Sequence, residues 1–188
     1  MAMRSVLITV ALLAVARLAG AQEVSGITIL SYGIYRADLS PPKQNPSAQL
    51  PQSNARNICH VMTTWIVPAD DERLFGVAYR IEGSPRGKLV EIRRTVRFPD
   101  PAAPAGSYVT TEGTTKRPIG ALSYGGWGID EHTRPGPWTV AFFYGDRRLT
   151  ELNFTVTRDK SFKVVPDENS QCFLVSEVGT HNARVAGR

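Results

Sequence analysis

The residues able to do chemistry are few and scattered. His60, His132 and His181 show neither H-x-H nor H-x-x-x-H spacing, so no two of them are set to share a metal on one strand or helix face. Asp130-Glu131-His132 is a run of three ligand-type residues. Adjacent residues of an extended chain point apart, so it reads as a solvated loop. Asp70-Asp71-Glu72 could attract calcium, but no Gly-containing ligand loop surrounds it, and a polar turn is the better reading. No G-x-S-x-G elbow, P-loop or S-x-x-K motif is present. No catalytic residue, metal ligand or cofactor is therefore assigned. The aromatic residues offer a different chemistry. Tyr124 and Trp127 in "SYGGWG", with Phe143 in "AFFYG", could stack on a sugar or an aromatic ligand. The competing reading, a Gly-rich strand whose aromatics pack inside a sandwich, is the preferred one.

The two ends and the totals set the compartment. "MAMRSVLITVALLAVARLAGA" has a basic start at Arg4, an apolar run from Ser5 to Ala16 and an A-x-A pattern at Ala19–Ala21. That is a secretory signal peptide over 1–21, too short to span a bilayer, which takes about 20 apolar residues. Cleavage leaves 167 residues with 20 basic against 17 acidic side chains, a net charge of +3. Such a chain buries one core. No run of like charges suggests a nucleic-acid tail, and no transmembrane span is expected after cleavage. Periplasmic or secreted location follows. There, the even pair Cys59 and Cys172, lacking C-x-x-C spacing, reads as one structural disulfide.

The elements that must position these residues are strands. Val24–Tyr35 is β-rich and broken by Gly26 and Gly33. "ADLSPPKQNPSAQLPQSNAR" (37–56) has four prolines and reads as a disordered insertion. Ile58–Val67 is read as a strand with Cys59, Val61, Thr63, Trp65 and Val67 pointing inward. Leu74–Ile81 places Phe75, Val77, Tyr79 and Ile81 on one face. Leu89–Phe98 turns Val90, Ile92, Val96 and Phe98 inward and Glu91, Arg93, Thr95 and Arg97 outward, while Arg94 breaks the parity and needs a partner or a rim position. Ser107–Thr111 is expected to pair only briefly. No helical apolar stripe occurs in the mature chain. The pattern predicts an all-β fold, an immunoglobulin-like antiparallel β-sandwich of about seven strands. It occupies 22–157, followed by a C-terminal extension (158–188) that Cys172 could tie back.

"PGPWTVAFFYGDRRLTELNFTV" (135–156) is the densest aromatic stretch. Parity assigns Trp138, Val140, Phe142 and Tyr144 to one face and Leu152, Phe154 and Val156 to the matching face of a return strand, with Phe143 left on the other side. A core hairpin is predicted, its side chains contributing about 1.5–3 kcal/mol each on burial. With "ILSYGIY" (29–35), "LFGVAYRIEG" (74–83) and "VRFPDP" (96–101), this stretch resembles a bacterial domain family known only as domain of unknown function 3859. The resemblance implies an exported β domain and brings no reaction and no catalytic residues.

The expected function is a non-catalytic binding or scaffolding module of the cell envelope, its partner an envelope protein or polysaccharide rather than nucleic acid. Two alternatives stand beside it: a carbohydrate-binding module using Tyr124, Trp127 and Phe143, and a hydrolase whose site is dispersed along the chain.

Overall fold

The computed structural model of the chain describes residues 23–39, 52–53, 55–69, 73–129, 133–159, 161–168, 172–173 and 182–184. The expected signal peptide, the centre of the Pro-rich segment, Asp70–Glu72, Asp130–His132 and His181 lie outside them. The strands are β1 (Val24–Leu39), β2 (Gln52–Ser53), β3 (Ala55–Met62), β4 (Ile66–Pro68), β5 (Arg73–Gly83) and β6 (Leu89–Pro99). They continue with β7 (Tyr108–Pro118), β8 (Leu122–Ile129), β9 (Gly136–Tyr144), β10 (Arg147–Thr157), β11 (Cys172–Phe173) and β12 (Asn182–Arg184).

These form a two-sheet sandwich. One sheet runs β11-β3-β1-β5-β8-β12-β2, the other β4-β10-β9-β6-β7. Nine strands build the two layers, and β2, β11 and β12 add two or three residues each at the margins. The all-β expectation holds, with nine strands where about seven were expected. The difference lies in β4 and in β7, which runs to eleven residues instead of pairing briefly. The second sheet's pairs are antiparallel except β4 with β10, which is parallel.

The core lies between the layers. Phe75 of β5 is its hub, with ring centroids 5.5 Å from Trp127, 5.2 Å from Trp138 and 5.1 Å from Phe154. Phe98 stacks on Trp138 at 4.6 Å. The hairpin parity is realised in β9 and β10: Trp138 faces Phe154 and Val140 faces Leu152 across the ladder, all four buried. Its turn is the two residues Gly145-Asp146. A second, smaller cluster of Tyr35, Ile58, Leu74 and Tyr124 is also buried. It sits on the outer face of the first sheet, because these residues alternate with the inward Ile34, Phe75 and Gly125 along their strands. So β5 is buried on both faces, which its one-sided parity did not foresee.

The reading of Ile58–Val67 as one inward-facing strand is corrected. Ile58 and His60 are buried, Cys59 and Val61 only partly so, and Trp65 is 39% exposed. β3 ends at Met62. The Thr64 hydroxyl accepts from Ile66 N (3.0 Å) and donates to Ile66 O (3.1 Å), a local loop that resets the parity. The chain then crosses to the other sheet as β4. The edges of the 37–56 insertion are corrected too: residues 37–39 continue β1, and β3 begins at Ala55, the two pairing as Leu39 with Ala55. Beyond β10, Phe162 and Val164 pack on the main core, and Asp167 N donates to Val61 O at 2.7 Å.

Candidate functional site

The three aromatics named as ligand contacts are not brought together. Trp127 is 1% exposed and lies in the main core, while Tyr124 is 2% exposed and lies in the outer cluster. They are three residues apart on one strand, so they point to opposite faces of the sheet and cannot form one platform. As ligand contacts, Tyr124 and Trp127 are corrected to packing residues. The glycines between them explain the packing. A side chain at Gly126 would meet the Tyr124 ring, which folds along its own strand, and Gly125 leaves room for Arg94, Phe142 and Tyr79. Burial raises the Tyr124 phenol well above its ordinary range, with the nearby Tyr35 adding to it.

Arg94 takes neither the rim nor an outward position. Its guanidinium lies 4.9 Å from the Trp127 ring centroid, over the indole face. Burial lowers its pKa from the ordinary value.

The disulfide Cys59–Cys172 is formed, joining β3 to β11 in antiparallel register. Close by lies the imidazole of His60. His60 is 7% exposed; its Nε2 is 3.0 Å from Tyr32 O and its Nδ1 is 3.7 Å from Asp167 Oδ2. The same Asp167 oxygen accepts from Thr63 N (2.9 Å) and Thr63 Oγ1 (3.1 Å). Because a carbonyl can only accept, Nε2 donates a proton to Tyr32 O and points into the backbone. A histidine held this way is a clamp between β1, β3 and the segment after β10. Ser31 Oγ is bonded to Tyr35 OH at 2.8 Å, not to an imidazole. Among the described residues, no three His, Cys, Asp or Glu side chains are grouped to hold a metal.

What the fold does present is a broad outward face. On the outer side of the second sheet, the ladders set Arg93 beside Thr114 and Phe143, Thr95 beside Glu112 and Ala141, and Arg97 beside Thr110 and Thr139. Arg148, Glu151 and Asn153 complete these rows on β10. The side chains brace one another. Arg93 lies over Phe143 at 4.2 Å and reaches Glu112 at 3.3 Å, and Arg97 lies over Tyr108 at 4.0 Å. Thr139 Oγ1 donates to Asn153 Oδ1 at 2.9 Å, and Arg148 meets Glu151 at 2.6 Å. Phe143, the third predicted contact, is thus on this face but half-buried and roofed by a guanidinium. Outward parity of Glu91 to Arg97 was legible in the sequence. Tyr108 and Trp65 were missed. Trp65 stands at the sheet-crossing corner, stacked on Tyr32 at 3.7 Å.

A family model described as "Domain of unknown function (DUF3859)" matches residues 23–156. No curated protein matches the chain. Among solved structures, the chain is similar to an immunoglobulin-like protein from Pseudomonas aeruginosa. The identity is 21% and the TM-score 0.45, over 72% of this chain and 95% of that one. It is also similar to an alkylpurine DNA glycosylase from Pseudomonas fluorescens, AlkC, bound to DNA containing an abasic site analog. There the identity is 14% and the TM-score 0.36, over 52% of this chain and 29% of that much longer one.

Proposed function

Because the chain belongs to the DUF3859 family of domains of unknown function, we propose its role from its surface: a non-catalytic binding or scaffolding module of the cell envelope. One observation carries this reading. Tyr124 and Trp127, which could have lined a small-molecule cleft, are spent in two cores, and the outer face of β7-β6-β9-β10 is an array of charged, hydroxyl and amide side chains around the half-buried Phe143. A broad face of braced arginines suits a large partner engaged by area and charge. The export pattern at Met1–Ala21 supports the envelope as the compartment.

The test is affinity capture from envelope extracts with residues 22–188 as bait. The wild-type chain retains a reproducible partner, and an Arg93→Glu/Arg97→Glu/Arg148→Glu variant with unchanged circular dichroism loses it. A wild-type bait that retains nothing reproducible overturns the reading.

A second reading has its own observation. Trp65, unlike Trp127 and Trp138, is accessible, and Tyr32 backs one face of its ring. That is the arrangement of a sugar-stacking side chain. With the other two indoles buried, any change in tryptophan emission across a glycan and peptidoglycan panel reports on Trp65. No change, or the same change in Trp65→Phe, ends this alternative.

A further inference from the structure

The second sheet ends in an open edge. β7 pairs with β6 through eleven consecutive residues, Tyr108 with Pro99 through Pro118 with Leu89, with no register shift, and it is the terminal strand of its sheet. Tyr108, Thr110, Glu112, Gly113, Thr114 and Lys116 are all exposed, so among the described residues nothing covers this edge. Such a strand offers an unused row of backbone N–H and C=O groups. Its interior holds no proline and no bulge, and the charges it carries are Glu112 and Lys116 on the outer face and the buried Arg117 on the inner one.

We infer that β7 pairs with β7 of a second copy of this chain, antiparallel and centred on Thr114, joining two five-stranded sheets edge to edge. The charges select this occupant and this register. Centred on Thr114, the pairing sets Glu112 opposite Lys116 of the second copy, and by the twofold axis does so twice. Centring on Glu112 or on Lys116 would oppose like charges, and so would an in-register parallel pair. The same register puts Gly113 opposite Thr115, and the space in front of Gly113 is open, with no atom within 4 Å of where a side chain would begin. Arg93, already 3.3 Å from Glu112, extends each contact into a row of Arg93, Glu112 and the second copy's Lys116 on one face. A twofold contact of this kind is self-complementary and closes at two chains.

This inference goes beyond the capture of an envelope partner and is tested separately. Sedimentation velocity of residues 22–188 over a concentration series, at low and high salt, shows a monomer–dimer equilibrium that salt weakens. Glu112→Lys weakens dimerisation at least about tenfold, since it places lysine against lysine twice. The Glu112→Lys/Lys116→Glu exchange restores it. Thr114→Cys, exposed and harmless to the core, gives a covalent dimer under mild oxidation, which Thr110→Cys does not. A wild-type chain that stays monomeric throughout overturns the inference. So does a dimer indifferent to the charge reversal, or equal cross-linking from positions 110 and 114. Because the capture experiment reads the outer face and this one reads the edge, either can fail while the other stands.

Discussion

Gly76 shows how tightly single residues are specified in the first sheet. It lies opposite Gly126, and a Cβ there would drive into Gly125 O and Gly126 Cα, backbone that cannot give way. Gly76→Ala should therefore destabilise by about 3 kcal/mol, the upper range for overpacking, read from urea unfolding. A loss below about 1 kcal/mol would show that β5 and β8 can part without cost. The same crowding explains "SYGGWG". Two adjacent glycines let an arginine and two aromatic rings crowd one side of β8 and a tyrosine fold along the other. From the sequence, glycines beside Tyr124 and Trp127 fitted a packed strand better than a ligand platform without deciding between them. Which it was depended on the layers lying above and below β8, and no local spacing encodes those. Arg94 was legible as an anomaly. Its resolution over Trp127 was not, because that ring comes from the opposite sheet.

Among the elements, the hairpin was the most legible. In β9 and β10 one face is core and the other outward, and Trp138, Val140, Phe142, Leu152, Phe154 and Val156 are buried as parity names them, while Tyr144 is only half-buried and Ala141, on the other face, is buried too. β7 was nearly invisible for the converse reason. An edge strand exposed on most of its length needs no apolar alternation, and only Thr111 and Arg117 of β7 are buried. β3 was misread because its buried residues cover the outer cluster, so Ile58 and His60 face away from the main core. The Cys59–Cys172 bridge acts at this scale. It holds β11 on the margin of β3 and closes a separation of 113 residues. Replacing both cysteines with alanine should cost up to about 5 kcal/mol, the chain-entropy limit for a loop of this length, and should release the β11 amides to fast hydrogen exchange. Equal urea midpoints for the oxidised wild type and the variant would contradict this.

For the whole molecule, the outer cluster ties stability to pH. Burial, opposed by its bond to Ser31, pushes the Tyr35 phenol up to about 12, from an ordinary value of 10. Below the unfolded value both states keep the proton and the contribution is intact. As pH rises from 10 towards 12 the unfolded chain ionises first, and stability drains at about 1.4 kcal/mol per pH unit for this one group. Urea midpoints measured from pH 8 to 11.5 should fall above pH 10, and less steeply in Tyr35→Phe, while tyrosinate absorbance lags behind that of the unfolded chain. Identical slopes in the two proteins would remove Tyr35 from the account. The sequence by itself determined the strand class, the core face of the hairpin, the cysteine pair and the DUF3859 resemblance. Each follows from side-chain period, composition or compartment, which are local or countable. Only the tertiary structure decided that Tyr124 and Trp127 are packing residues, that Trp65 is accessible and that a charged outer face and an open edge remain. Those depend on which strands become neighbours and which layer each face meets, and such contacts form between residues far apart in the chain.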